Sequence, residues 1–335
     1  MTISGTTARL HTVVQGVTVR APAKVVYDMV ADVNRWPYIF SAVVHAERLR
    51  LKGNDELFRL WAFVEGAVRT WSSRRTLEPD ALSIRFEQLV PFAPFEQLAG
   101  YWVVRPLSPT TSRLTLVHRF RLLDDHPEEA TRTLAALGRA STVELNAIQS
   151  AAELGDDFDE MVLTYSESVT VAAQIRNVYQ FLYRAEQWPA QLPQLVEPGR
   201  DDSTPEVQIL QADTDADIEA DTDIWADPDP DADIGADAVD ESAAVAPMLQ
   251  TVRICFPYHS IIHKVVSTSA LMSAHVGEWT LRALPGGTEI RACHTVLLRP
   301  GGSAHDRQRD RELLYQSIRT ESRAIFAGAR DFVEP

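Results

Sequence analysis

The chain has little cysteine. Only Cys255 and Cys293 occur among its 335 residues, so no disulfide framework can substitute for a packed core. No stretch of about 18 uninterrupted apolar residues is present, which argues against a membrane-spanning helix. The start, MTISGTTARL, lacks the basic and then apolar stretches of a secretory leader. A cytoplasmic protein is expected. Also missing are a Gly-rich phosphate loop, a Gly-x-Ser-x-Gly elbow and a Cys/His cluster at metal-binding spacing. Nucleotide-dependent, covalent and zinc chemistries therefore have no motif to rest on, and neither cofactor nor metal is expected.

What is present is enough apolar material, 45% of residues, for a proper core, and a length that suits two domains. The net charge of −15 argues against nucleic-acid binding, but it is unevenly spread. Residues 1–155 hold 18 Lys/Arg against 16 Asp/Glu. The acidity is concentrated in DTDADIEADTDIWADPDPDADIGADAVDE, residues 213–241. Alternating Asp, two Pro and few large apolar residues cannot build a core, so a disordered insertion over 213–247 is expected. Asp229, Asp231 and Asp233 resemble the start of an EF-hand loop, but Ile234 stands where Gly is required and Asp240 where Glu is.

Compared with itself, the chain repeats. Val17-Thr18-Val19 matches Val169-Thr170-Val171, Val26-Tyr27 matches Val178-Tyr179, and Trp36-Pro37 matches Trp188-Pro189, always 152 residues apart. Trp102, Arg105 and Leu107 match Trp279, Arg282 and Leu284 at an offset of 177, and His118 matches His294. The acidic insertion, less some shortened loops, accounts for the change. Two copies of one fold follow, at 1–155 and 156–335.

Each copy begins with a β-branched strand, Val13–Val19 in the first. Ala21-Pro22-Ala23 then opens a helix burying Val25, Val26 and Met29. Strands follow, separated by turns at Gly53-Asn54-Asp55, Glu65-Gly66, Pro79-Asp80 and Ser108-Pro109-Thr110. A long helix from Pro127 to Leu154 closes the copy, with Leu134, Leu137, Leu145, Ile148 and Ala152 on one apolar stripe. The second copy ends on Ser303–Val333, where Leu313, Leu314, Ile318, Ile325 and Phe326 are expected to face the sheet. This is an α+β, helix-grip plan: an antiparallel sheet around a long C-terminal helix, with an interior pocket.

Three groups could carry chemistry. In Trp71-Ser72-Ser73-Arg74-Arg75, alternation sends Trp71, Ser73 and Arg75 to one face and Ser72 and Arg74 to the other. If the Trp set points inward, an aromatic wall, a hydroxyl and a planar fork of donors meet there, suited to a carbonyl or enolate oxygen. Otherwise Arg75 lies near a rim and pairs with a carboxylate. His118 lies on an inward set with Leu114, Leu116, Phe120 and Leu122, either as a proton shuttle or as a core histidine held by a hydrogen bond. Ser141 interrupts the apolar stripe of the closing helix, to bind substrate or to bond back to its own helix. Trp36, Tyr38 and Trp102 line a pocket or simply fill the core.

Trp71-x-Ser73-x-Arg75 after Arg35-Trp36-Pro37, within a duplicated helix-grip plan, resembles the didomain aromatase/cyclases of bacterial type II polyketide synthases. Ala270-Leu271-Met272-Ser273-Ala274-His275 is similar to the same subclass. The resemblance implies a poly-β-ketone on an acyl carrier protein as substrate, closed by aldol chemistry and aromatised by loss of water, without a cofactor. It implies that Arg75 and Ser73 hold a carbonyl oxygen, that His118 moves protons, and that Trp36, Tyr38, Trp71, Trp102 and Ser141 shape the pocket. Ketosynthase/chain-length factor and ketoreductase are the further partners it implies. Aligning strands sets Ser260, Ile262 and Lys264 opposite Trp71, Ser73 and Arg75, so the first copy is expected to hold the main catalytic pocket. A non-catalytic carrier of apolar molecules and a scaffold for the synthase are the competing readings.

Overall fold

The computed structural model describes residues 9–64, 66–185, 188, 195–199, 207–213, 248–266 and 270–333. The insertion expected over 213–247, with its acidic run, lies outside the described residues from 214 onward. The chain divides into two compact units, Met1–Val64 with Val68–Glu160 and Glu65–Ala67 with Met161–Pro335.

In the first unit β1 (His11–Val19) leads to α1 (Ala23–Ala31), a 3-10 turn at Val33–Arg35 and the short α2 (Trp36–Ile39). Pro22 sits at the cap of α1, one residue before the helix, where its missing N–H costs nothing. Six strands follow: β2 (Val43–Lys52), β3 (Asp55–Val64), β4 (Ala67–Glu78), β5 (Ser83–Gln88), β6 (Phe95–Ser108) and β7 (Thr111–Leu122). They meander, so the sheet order is β1-β7-β6-β5-β4-β3-β2. α3 (Pro127–Glu153) closes the unit, with Pro127 in its first turn and Glu128 and Glu129 at its positive end. Leu145, Ile148 and Ala152 of the expected stripe are buried, and Leu134 and Leu137 pack against Val13, Phe95, Leu98, Phe120 and Leu122.

After α4 (Asp157–Met161) the second unit repeats the plan. It runs β8 (Val162–Val171), α5 (Ile175–Tyr183), β9 (Leu195–Gly199), β10 (Val207–Asp213), β11 (Met248–Phe256), β12 (Ser260–Val265), β13 (Met272–Leu284), β14 (Gly287–Leu298) and α6 (Ala304–Val333). The order β8-β14-β13-β12-β11-β10-β9 is that of the first sheet. One expectation for α6 fails: Leu313 is 54% exposed. Leu314, Ile318, Ile325 and Ala329 set the buried stripe, and Leu313 lies about 100° around the helix from Leu314.

The repeated order also corrects the expected strand alignment. The counterpart of β4 is β11, not β12. Arg253 precedes Pro257 by four residues as Arg75 precedes Pro79, and both hairpins turn through a residue in the left-handed region, Leu82 and Tyr258. Leu249, Thr251 and Arg253 therefore stand where Trp71, Ser73 and Arg75 do. Lys264 lies on β12 and, by alternation, on the sheet face opposite His263. It is buried there, and burial pushes its ammonium down to about 7.

Candidate functional site

The site of the first unit is built on a row across four strands. Register sets His118 opposite Gly100, Gly100 opposite Phe86 and Phe86 opposite Arg75. Directly paired residues share a face, and three strand gaps span roughly 14 Å. His118, Ser73 and Arg75 are all buried, so this is the inner face, and the Trp71–Ser73–Arg75 set is the inward one. Arg74 points outward toward Glu87. Gly100 makes the row possible, because a Cβ there would come 2.0 Å from the Val117 carbonyl oxygen and 2.6 Å from Cζ of Phe86. The Phe86 ring lies across that gap and meets His118 edge-on, with centroids 5.5 Å apart.

Arg75 reaches the interior, and each of its three nitrogens donates to the protein. Nε donates to Glu56, Nη1 donates to the Val30 carbonyl at 3.1 Å and Nη2 donates to the Ala31 carbonyl. Those carbonyls end α1, where no intrahelical N–H remains to meet them. The guanidinium is also packed over Trp36 and Phe58, 5.2 Å from each ring centroid. Trp36 in turn donates its indole N–H to the Val30 carbonyl at 3.2 Å. Arg75, Glu56, Trp36 and the end of α1 thus form one buried clamp, which Arg48 joins through Glu56.

His118 is placed differently. Ser141 of α3 donates to the Leu137 carbonyl at 2.7 Å, and its oxygen lies 3.2 Å from Nδ1 of His118. A hydroxyl has one proton, so with that proton on Leu137 the serine accepts from Nδ1–H and leaves Nε2 with the lone pair. Burial pushes this imidazole down to about 4, so it is neutral at pH 7. Of the two readings of Ser141, the bond back to its own helix is the one present, and the same oxygen also orients the histidine.

The second unit reproduces the row with changes. His294 faces Gly277, Gly277 faces His263 and His263 faces Arg253. Arg253 donates to the carbonyls of Leu182 and Tyr183 at the end of α5 and lies over Trp188, repeating the clamp. Gln208 takes the carboxylate's place, accepting from Arg253 at 2.8 Å. Ser322 of α6 meets His294 at 3.3 Å as Ser141 meets His118, but through Nε2. That turns Nδ1 of His294 to His275, whose Nε2 is 3.0 Å away. His263 stands where the first unit has Phe86, and His275 where it has Leu98.

A cavity of about 220 Å³ opens beside these residues, lined by the three histidines with Trp279, Thr251, Arg253 and Glu321 among others. Burial pushes His275 down to about 4 and, with the neighbouring His275, His294 to about 3; His263 is held well below its usual value. Burial raises the Glu321 carboxyl. The second unit therefore encloses a polar-headed pocket of its own.

The remaining candidates scatter. Trp102 is buried, Trp71 packs on Phe92 and Tyr38 stacks on Phe158; Trp36 belongs to the clamp. Glu144, three residues after Ser141, was not signalled by the apolar stripe. It keeps some accessible surface, yet the surrounding protein pushes its carboxyl up to about 7. The histidine cluster gave no spacing signal because it gathers from three strands. Its one trace in sequence was the match of His294 to His118.

A seven-stranded sheet and a long closing helix, present twice, with a cavity between them in the second unit, define a didomain helix-grip protein. Residues 19–136 match the family described as "Polyketide cyclase / dehydrase and lipid transport". The chain is 35% identical over 287 residues to the granaticin polyketide synthase bifunctional cyclase/dehydratase of Streptomyces violaceoruber, covering 85% of this chain and 81% of that one. It is 31% identical over 290 residues to the actinorhodin counterpart of Streptomyces coelicolor, covering 87% and 84%. The crystal structure of the di-domain ARO/CYC BexL from the BE-7585A biosynthetic pathway is similar with a TM-score of 0.76 at 29% identity, over 97% of this chain and 99% of that one. StfQ from the steffimycin pathway gives 0.71 at 25%, over 96% and 98%. The chain belongs to the family of polyketide synthase bifunctional cyclase/dehydratases, with the fold of the di-domain aromatase/cyclases.

Proposed function

We propose that this protein closes the first ring of a poly-β-ketone by an aldol step, and aromatises it by loss of water, while the chain is carried on an acyl carrier protein. The observation that carries the reading is the duplicated buried histidine held by a helix serine, His118 with Ser141 and His294 with Ser322. A neutral, oriented imidazole is the base that enolisation needs. Nε2 of His118 takes a proton from a methylene flanked by two carbonyls. The enolate carbon attacks a ketone carbon further along, and the resulting alkoxide takes a proton back from the imidazolium. Removal of a second α-proton then expels the hydroxyl, protonated as it leaves, as water. Positioned acids and bases suffice for every step.

Arg75 has a different part in this reading from the one its motif implies. With its fork committed to Glu56 and α1, it positions the wall of the pocket, and Ser73 and the α3 carboxyl of Glu144 are the polar groups nearest in role to a substrate oxygen. Trp71 and Tyr38, which keep accessible surface, guide the bend of the chain. Ketosynthase/chain-length factor and ketoreductase are its companions in the synthase.

The test supplies the protein with a carrier-bound poly-β-ketone and follows the ring-closed products. His118→Ala should lower aromatised product about 10²- to 10⁴-fold, the range of one general base. Unchanged products with slower ligand release would favour a carrier instead.

A further inference from the structure

His263, His275 and His294 come from neighbouring strands β12, β13 and β14, and each offers a ring nitrogen such that all three lie within 4.8 Å of one another. They line the cavity of the second unit. Gly277 leaves the room in which they converge: a Cβ there would come 2.3 Å from Nε2 of His263 and 2.9 Å from Nδ1 of His294. The fold does not demand this cluster, since the first unit fills the matching positions with Phe86 and Leu98, and Leu98 packs into an apolar core. Three imidazoles gathered where apolar groups would serve are costly to desolvate unless something binds them.

We propose that His263, His275 and His294 bind a transition-metal dication of the zinc type, with its fourth position open to the cavity. Imidazole nitrogens favour zinc, copper, nickel or iron over magnesium or calcium. Three protein ligands with one open position is the arrangement in which zinc acts on a substrate rather than on the fold. Tetrahedral bonds of about 2.0–2.1 Å set ligand nitrogens about 3.3–3.4 Å apart. The observed 3.0 Å between His275 and His294, within an overall spread of 4.8 Å, needs only a small adjustment of the rings. Ser322, bonded to Nε2 of His294, turns Nδ1 toward the ion as an outer-shell partner does. Where this deepens the cyclase reading, and so rests on it, the ion polarises a carbonyl oxygen of the chain; the binding itself stands apart from that reading.

The experiment uses the full chain, stripped with a chelator and then equilibrated with Zn²⁺ or Co²⁺. Elemental analysis should return one ion per chain, and Co²⁺ should give the visible bands of a tetrahedral site. His263→Phe and His275→Leu, which install the first unit's residues, should each weaken binding by at least about 100-fold and remove those bands, the loss of an outer-shell partner alone costing about 10–100-fold. His118→Ala should keep both. The histidine dependence separates this site from the acidic run at 213–241, which none of these substitutions touches. Less than stoichiometric uptake by the unaltered chain, or unchanged uptake in both variants, overturns the proposal, and the first of these decides even if a variant misfolds. Metal binding without cyclase activity would sink the reading above while leaving this site intact.

Discussion

Set side by side, the two rows differ at one side chain, with a second change beside it and a third, Glu56 to Gln208, in the clamp. His118, Gly100, Phe86 and Arg75 become His294, Gly277, His263 and Arg253, and next to them Leu98 becomes His275. The clamp, the glycine and the serine-held histidine are retained in both; what changes is whether the space between clamp and histidine is filled with carbon or with imidazole. In the first unit Phe86 closes against His118. In the second, the same ground is a cavity with three nitrogens at its head. Duplication kept the parts that hold the helix to the sheet and varied the side chains between them.

The clamp offers the largest effect with which to break that comparison. Removing one partner of a buried ion pair costs about 3–5 kcal/mol, whereas losing hydrogen bonds to neutral groups costs about 1–3 kcal/mol. Arg75→Ala, which leaves Glu56 buried with only Arg48 beside it, should therefore destabilise its unit more than Arg253→Ala does, where the partner is Gln208. Denaturant unfolding followed by tryptophan fluorescence would show it. Equal losses would mean that the Arg75–Glu56 pair contributes no more than the Arg253–Gln208 bond.

Chemistry comes next. His294→Ala should lower aromatised product on a scale comparable with His118→Ala, about 10²-fold or more, if both units act on the chain. Full turnover by His294→Ala would return the second unit to a supporting role and assign its pocket to retention alone.

A pH titration sharpens the contrast further. A histidine whose folded value is depressed binds its proton more readily when unfolded, so its stabilisation is complete above its ordinary value near 6.5 and is lost as pH falls toward the folded value. The loss approaches 1.4 kcal/mol per pH unit for each such group. The first unit has His118, at about 4, and His45, also about 4. The second has His275 at about 4, His294 at about 3 and His263 lower than usual. Between pH 6.5 and 4 the metal-free second unit should lose stability more steeply, and His275→Leu should flatten that slope in a melt series. The smallest effect belongs to the serines. Ser141→Ala should cost about 0.5–1.5 kcal/mol and slow product formation several-fold by freeing the His118 ring, and Ser322→Ala should do the same for His294.

Much of the fold could be read in the chain before any coordinates. The 152-residue offset gave the duplication, and period-3.6 stripes gave both closing helices, because an amphipathic helix must write its buried face into local sequence. Alternation through Leu114–Leu122 set His118 on the inner face for the same local reason. Leu313 misled because two adjacent leucines cannot both face the sheet, and only the phase set by Ile318 and Ile325 decides between them. The strand alignment slipped one hairpin because the loops between copies differ in length, although the shared four-residue spacing from Arg to Pro marked the true match.

By itself, the sequence determined that two copies of a sheet-and-helix unit would form, that His118 and Ser141 in the first would turn inward, and that Trp71, Ser73 and Arg75 would share one face, since periodicity is a property of neighbouring residues. Tertiary structure alone decided where the guanidinium ends. Glu56 lies 19 residues before Arg75 and the carbonyls of Val30 and Ala31 lie 44 or 45 before it, so their meeting depends on sheet order. The same holds for His263, His275 and His294, which only the pairing of β12, β13 and β14 gathers, because cross-strand neighbours are fixed by register and not by distance along the chain.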